Sequence, residues 1–272
     1  MPHDGNNNTV RVAAVADLHC AKAMAAGTFQ PLFAQVAERA QVLALAGDLT
    51  DYGLPEEARL LARELSVAKV PVVAVFGNHD YESERQDEVK QILTEAGVTV
   101  LDGDSVEIHG VGFAGVKGFA GGFGERALQS WGEPILKRFV REAVDEALKL
   151  ESALARLRTA HRIALLHYSP IRSTVECEAP EIAPFLGSSR LEDPLNRYPV
   201  FAVLHGHAHR GTPEGRTASG VPVYNVALPL LRRHYPDQPP FRIIEVPAPR
   251  RAEAPVAPVG VHSGVGVGAT VP

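Results

Sequence analysis

Short, nearly unbroken apolar runs alternate with helically spaced stretches through the N-terminal third of the chain. Residues 10–16 carry one arginine among apolar side chains and predict a strand buried on both faces. Phe29, Leu32, Phe33, Val36, Ala37 and Ala40 recur at the spacing of one helix face. A second buried strand follows at residues 42–46, and Pro55 opens a helix rich in Glu, Ala, Arg and Leu, as proline in a first turn does. A third strand at 70–76 and a third helix at 82–96, ending at Gly97, complete a β-α-β-α-β-α series. That alternation predicts a parallel sheet with helices against its faces.

Beyond Gly97 the pattern changes. Residues 98–101, 106–109 and 111–116 are short apolar runs separated by turn residues, which predicts an antiparallel meander. Residues 125–158 read as mostly helical, entered afresh at Pro134, with Ile135, Phe139, Val140, Ala143, Val144, Ala147, Leu148 and Leu154 on one face. A strand is expected at 162–166. The stretch 168–198 holds Pro170, Pro180, Pro184 and Pro194 and little periodicity, so it reads as a long ordered loop with one helical turn; loops of this length are usually functional when ordered. Residues 200–204, 221–226 and 241–246 are then expected to complete a second sheet. The predicted organisation is a flexible N-terminus at 1–9, one domain at 10–246, and a Pro/Ala/Gly/Val-rich disordered tail at 247–272.

Composition narrows the classes of function. The chain has 272 residues, 45% hydrophobic and 22% charged, with a net charge of −5 from 27 basic and 32 acidic residues. No Lys/Arg block stands out, which argues against a dedicated nucleic-acid-binding module but leaves room for a nucleotide. Cys20 and Cys177 are the only cysteines, too few for a disulfide framework, and a reducing, cytoplasmic compartment is expected. The N-terminus lacks a basic region followed by an apolar one, and no run reaches the length of a membrane span.

The candidate chemistry lies in five short strings: Asp17-Leu18-His19, Gly47-Asp48, Gly77-Asn78-His79-Asp80, His167, and Gly206-His207-Ala208-His209. Nearly all follow directly on an apolar run, which would gather their side chains at one end of a sheet. Asp-x-His at a strand end places a carboxylate and an imidazole on one side, because side chains two apart share a face. Each string alone is weak; their joint occurrence, with glycines beside Asp48 and Asn78 that permit tight turns, is not. Carboxylate, carboxamide and imidazole together suit Mn, Fe or Zn better than Ca or Cu(I).

In these strings the chain resembles the calcineurin-like metallophosphoesterases over about residues 10 to 246. The resemblance implies a four-layer α/β/β/α sandwich, two mixed sheets flanked by helices, with a dinuclear centre at the sheet ends. It implies two divalent ions, one held by Asp17, His19 and His209 and the other by Asn78, His167 and His207, with Asp48 bridging them. It further implies that His79 protonates the leaving group and that Asp51 orients it. The expected reaction is hydrolysis of a small phosphate ester, nucleotides included, by in-line attack of a metal-bridging hydroxide. Protein phosphatases of the family carry Asp-Arg-Gly where this chain has Asp51-Tyr52-Gly53, so a phosphodiesterase is the expected type. A nuclease or phosphomonoesterase of the same family is the alternative. A non-catalytic scaffold would be expected to have lost ligands, and all seven are present.

Other residues have plainer expected roles. His205 is expected to support the His-x-His from behind, and Asp80 to cap the helix that follows it. Cys20 is expected to be buried and inert, and His3, His109, His161, His234 and His262 to lie at the surface. Arg172, Arg190, Arg197 and Arg210 fall in or beside the segment that should overhang the metals, where arginine suits phosphate.

Overall fold

The computed structural model describes residues 9–248; the N-terminal and C-terminal segments predicted as flexible, with His3 and His262, lie almost entirely outside them. In chain order the elements are β1 (Thr9–Val15), α1 (Gln30–Arg39), β2 (Val42–Ala46), α2 (Pro55–Leu65), β3 (Val72–Val75), α3 (Gln86–Glu95), β4 (Val98–Val100), β5 (Asp104–Ile108) and β6 (Val111–Gly115). Then come α4 (Pro134–Arg156), β7 (His161–Leu165), α5 (Glu192–Arg197), β8 (Ala202–His205), β9 (Glu214–Arg216), β10 (Pro222–Asn225), α6 (Leu228–His234) and β11 (Arg242–Pro247). One sheet has the order β11-β1-β2-β3-β4 and the other β5-β6-β7-β8-β10-β9. Each is parallel in its middle and antiparallel at an edge, so both sheets are mixed.

Alternation along the strands divides the core into layers. Val12, Ala14, Val42, Ala44 and Val73 face Phe113, Ile163, Leu165, Ala202 and Leu204, and this apolar seam joins the two sheets. The opposite faces of β1, β2 and β3 present Ala13, Val15, Leu43, Leu45 and Ala74 to Phe33 and Val36 of α1, Leu61 of α2, and Val89 and Leu93 of α3. On the far side Ala164 and Val203 pack under Leu150 and Leu154 of α4 and Leu195 of α5. The result is the four-layer α/β/β/α arrangement, and it explains why the strands read as continuous apolar runs: both faces are covered.

Five expectations change. Helix α4 starts at Pro134 rather than at 125: only a 3₁₀ turn lies at Gly124–Arg126, and Gly132 has a φ of 69° that breaks any continuous helix. Residues 98–101 do not open a meander: β4 pairs in parallel with β3, because the intervening α3 is long enough for a crossover. Residues 241–246 do not complete the second sheet. α6 carries the chain across, with Leu228 in the outer layer and Leu231 in the central seam, and β11 pairs antiparallel with β1. Helix α3 starts at Gln86 rather than at 82, because residues 79–81 form a 3₁₀ turn and Glu84 has a φ of 56° that no α-helix accommodates. The loop at 168–198 contains three 3₁₀ turns and α5. β9 and α6 had no distinct signal in the pattern.

Glu64, 1% exposed, is a buried acid with a structural role. Its carboxylate accepts hydrogen bonds from the backbone N–H of Gly27 at 2.6 Å and of Phe29 at 2.8 Å. It thereby fixes the entry to α1 on the flank of α2. Glu64→Ala leaves both donors unpaired, and chemical denaturation should show a loss of about 3 kcal/mol. A loss below about 1 kcal/mol would mean that water replaces the carboxylate.

Candidate metal centre

All five strings sit at the carboxyl ends of parallel strands: β1 and β2 and β3 in one sheet, β7 and β8 in the other. The two sheets present these ends side by side, and the backbones of the loops are zipped together. Asp17 N–H donates to Gly47 O, and His19 N–H to Asp48 O, both at 3.0 Å. Four of the candidate ligands have left-handed backbones, Asp17 (φ 57°), His19 (φ 45°), Asp48 (φ 48°) and His207 (φ 70°). Asp and His visit this region more readily than most residues, yet each instance costs on the order of 1 kcal/mol. The sheets hold them there.

Potential ligand atoms fall into overlapping groups. Those of Asp17, His19 and His209 lie within 4.8 Å of one another, and so do those of Asp48, His167 and His207. A third such group, His19, Asp48 and His79, links them. Asp48 Oδ2 stands between the sets, 3.8 Å from His19 Nε2 and 3.4 Å from His167 Nε2. Asn78 Oδ1 is 3.1 Å from His167 Nε2, and His209 Nε2 is 2.9 Å from Asp17 Oδ1. The structure thus brings together all seven residues expected to be ligands.

The surroundings set the orientation and charge of these groups. His167 Nδ1–H donates to Ala46 O at 3.0 Å, which turns Nε2 towards Asp48 and Asn78. Such an outer carbonyl fixes the tautomer a metal-ligating histidine needs. Burial alone would raise the Asp48 pKa, but His167 and the hydrogen bonds it receives hold it well below the usual carboxylate range. Burial opposes charge on His167, and the nearby Asp48 nevertheless pushes its pKa up. Burial and then the neighbouring His167 push His207 down to about 3, so its ring is neutral. His19 is lowered by burial, and its Nε2 is buried without a hydrogen-bond partner among the described residues. An orphaned imidazole nitrogen facing a buried carboxylate fits a divalent cation.

Two glycines are required by crowding. A side chain at Gly77 would overlap the Asp48 carboxylate and approach His167 Cε1 to 2.7 Å. One at Gly206 would run into Asp17 and lie 2.6 Å from Ala16 Cβ. These positions carry glycine because the candidate ligands occupy the space a Cβ needs.

His79 is held at two points. Its backbone N–H donates to Asp48 Oδ1 at 2.9 Å, and its ring Nδ1 lies 2.8 Å from the carbonyl oxygen of Asp51. The orienting contact expected from Asp51 therefore runs through its backbone. Its carboxylate instead points to His19, with Oδ1 3.4 Å from Nδ1, because the turn at Asp51 directs carbonyl and side chain to different rings.

Asp80 is not a helix cap. Its buried carboxylate accepts from the backbone N–H of Leu49 (3.2 Å), Thr50 (2.9 Å) and Gly77 (2.8 Å), and from Thr50 Oγ1 (2.6 Å), tying the loops after β2 and β3. Burial first, then Asp48, pushes its pKa up to about 6. His205 is fully buried, with Nδ1 2.8 Å from Gly206 O and Nε2 2.9 Å from Thr174 Oγ1, and burial takes it down to about 4. It supports the His-x-His as expected. Sequence reading missed Thr174 and Asn225; Asn225 Nδ2 donates to Ala208 O at 2.8 Å and so braces that loop. The position of Asn225 at the end of β10 was the available signal.

Of the four arginines, Arg190 bonds Leu128 O and Arg197 pairs with Glu151, so both are engaged elsewhere. Arg210 is exposed and, among the described residues, only its backbone N–H is engaged, to Glu178. Arg172 lines a surface groove. His109 and His234 are exposed and His161 partly so. Tyr52 is 57% exposed.

A sequence model of the calcineurin-like phosphoesterases matches residues 10–211. No curated protein matches the chain. Among solved structures, the phosphopantetheinyl hydrolase of Mycobacterium tuberculosis is similar with a TM-score of 0.63 and 17% identity, over 91% of this chain and 100% of its own. A Thermus thermophilus protein reaches 0.53 at 18% identity, over 89% of this chain and 100% of its own. The purple acid phosphatase of yellow lupin seeds reaches 0.51 at 15%, over 84% of this chain and 45% of its own. At these identities the likeness concerns the fold.

Two outcomes check this geometry. After incubation with Mn²⁺ and desalting, Gly77→Ala should keep the wild-type circular dichroism spectrum and retain much less Mn²⁺ than the wild type by elemental analysis; equal retention would refute the crowding. Cys20 is fully buried, and burial followed by Glu57 and Glu64 pushes its thiol up to about 12, whereas Cys177 is exposed. Native protein at about pH 8 should take up a single iodoacetamide, at Cys177, by peptide mass mapping.

Proposed function

The chain belongs to the calcineurin-like phosphoesterase family, and from that premise we propose that it is a dinuclear metal-dependent phosphodiesterase in a single domain at residues 10–246. It is a hydrolase of phosphoric ester bonds; the number of metals, the ligand roles and the diester preference are our reading. Asp17, His19 and His209 would hold one divalent ion, Asn78, His167 and His207 the other, and Asp48 both. The observation that carries this is the position of Asp48 Oδ2 between His19 Nε2 and His167 Nε2. Ions bound there supply a nucleophile at neutral pH and positive charge against the phosphoryl oxygens. Oxygen and imidazole donors in this mixture favour Mn, Fe or Zn.

The chain's own contribution is a placed proton. His79 Nδ1–H donates to the Asp51 carbonyl, so Nε2 is the ring atom left to protonate a leaving alkoxide. The backbone bond to Asp48 Oδ1 keeps that ring in register with the ligands. Tyr52 offers no guanidinium to grip the extra charge of a monoester, which supports the diester preference. A net charge of −5 supports a small substrate over a long polyanion. No helix among the described residues is long and apolar enough to cross a membrane. Two free thiols support a reducing compartment, the cytoplasm.

Purified protein should hydrolyse bis(p-nitrophenyl) phosphate when Mn²⁺ is present and stop when it is chelated; no metal-dependent turnover would sink the proposal. His79→Ala should retain its metal and lose about 100-fold or more in kcat on an ester with an alkyl leaving group. Its loss on p-nitrophenolate esters should be much smaller. Equal losses on both would remove His79 from the role of acid.

A further inference from the structure

Beside the metal centre runs a groove with two chemically different halves. One half, about 380 Å³, is lined by the backbone at Gly121 and Gly122 and by Phe123, Arg126, Arg172 and Pro184. The other, about 300 Å³, is walled by Leu128, Ile135, Leu136, Phe139 and Phe185 alone. Leu128, Phe139 and Phe185 border both, so the groove is continuous, and its volume is that of a small-molecule site.

The groove is built on the same backbone as the ligand loops. Phe185 forms part of its wall, and the carbonyl of Phe185 lies 3.3 Å from His207 Nε2. Ser169, just beyond His167 and Tyr168, donates its N–H to Leu186 O at 3.0 Å, and Gly122 donates to Gly187 O at 2.9 Å. The groove wall and the His207 loop therefore meet at Phe185.

The apolar half is open to water at its rim. Ile135 is 66% exposed, Phe185 58%, and Trp131 and Ile182 are exposed on neighbouring turns. Among the described residues no polar side chain lines this half, so the edge of a base or the amide of a peptide would lose its hydrogen bonds to water there without replacement. A methylene chain has none to lose. In the other half Arg126 and Arg172 form no ion pair among the described residues, which suits an anionic group.

We propose that this groove takes the alkyl or acyl chain of the substrate, making the substrate an anionic amphiphile in which the phosphoester joins a polar group to a long apolar one. The inference rests on the phosphodiesterase reading for the reaction, while the groove's preference for a chain is measurable without turnover. Each buried methylene tightens binding about fourfold, so chain length is a sensitive readout.

The test is calorimetric binding of methylphosphonate and octylphosphonate, below micellar concentrations and with Mn²⁺ present. Octylphosphonate should bind at least about 100-fold more tightly than methylphosphonate. Ile135→Ser and Phe139→Ser, checked for folding by circular dichroism, should each shrink that ratio at least about fivefold. Equal binding of the two phosphonates overturns the proposal, as does an unchanged ratio in both variants. Co-sedimentation with phosphatidylcholine vesicles without a chain-length preference would assign the rim to a bilayer and also overturn it. A dimer that Ile135→Ser converts to monomer, without that preference, would assign the rim to a second copy and overturn it equally. A strong preference with no hydrolysis of any diester would refute the reaction and keep the groove.

Discussion

The contact between Asp48 and His167 holds the architecture to its chemistry. Asp48 follows β2 in one sheet and His167 follows β7 in the other, and their side chains meet at 3.4 Å with both residues buried. The apolar seam below brings the sheets together without direction, since Val, Ala, Ile and Leu pack in many registers. The polar contact supplies direction. A buried carboxylate without partners is strongly destabilising, by about 3–5 kcal/mol when one partner of a buried pair is removed. Asp48 accordingly accepts the His79 N–H as well as facing His19 and His167, so the loops after β1, β2, β3 and β7 converge on one side chain.

That convergence sets the local backbone. To aim at a common point from adjacent strands, Asp17, His19 and Asp48 leave their strands through left-handed conformations, and His207 does so from the second sheet. The strain is on the order of a few kcal/mol in all, small beside a core with two covered sheets but large for a loop alone. Bonds that lie outside the ligand set offset it: Asp80 gathers three backbone N–H groups from two loops, and Asn225 holds the turn at Ala208. Rigid candidate ligands at strand ends and irregular loops above them are the two parts of such a site.

Legibility in the sequence followed the same division. β2 and the start of α2 at Pro55 were readable to the residue, because continuous apolar runs and a first-turn proline are local signals. The seven candidate ligands were readable because each is a metal-binding residue type at a strand end. What could not be read depends on partners distant in sequence. β11 joins the first sheet because β1 has an open edge, a fact about the assembled sheet rather than about residues 241–246. Asp80 is a capping residue by type, and only the meeting of the loops at Leu49, Thr50 and Gly77 makes it a tie. Asp51 was expected beside His79, and which of its oxygens faces that ring depends on a turn that residue type does not specify.

The same physics separates reaction from selectivity. A reaction that needs fixed charge must place its ligands on strands, where displacement costs core packing and the residue types are narrow. Selectivity for the rest of the substrate is free to sit on loops and on the first turns of α4, where Ile135 and Phe139 contribute area rather than a specific bond. Apolar area has no required residue type, so it leaves no motif. It shows in the structure as side chains such as Ile135 and Phe185, whose exposure the core does not explain. A chain of this kind therefore announces in its sequence what bond it attacks, and keeps in its surface which molecule carries that bond.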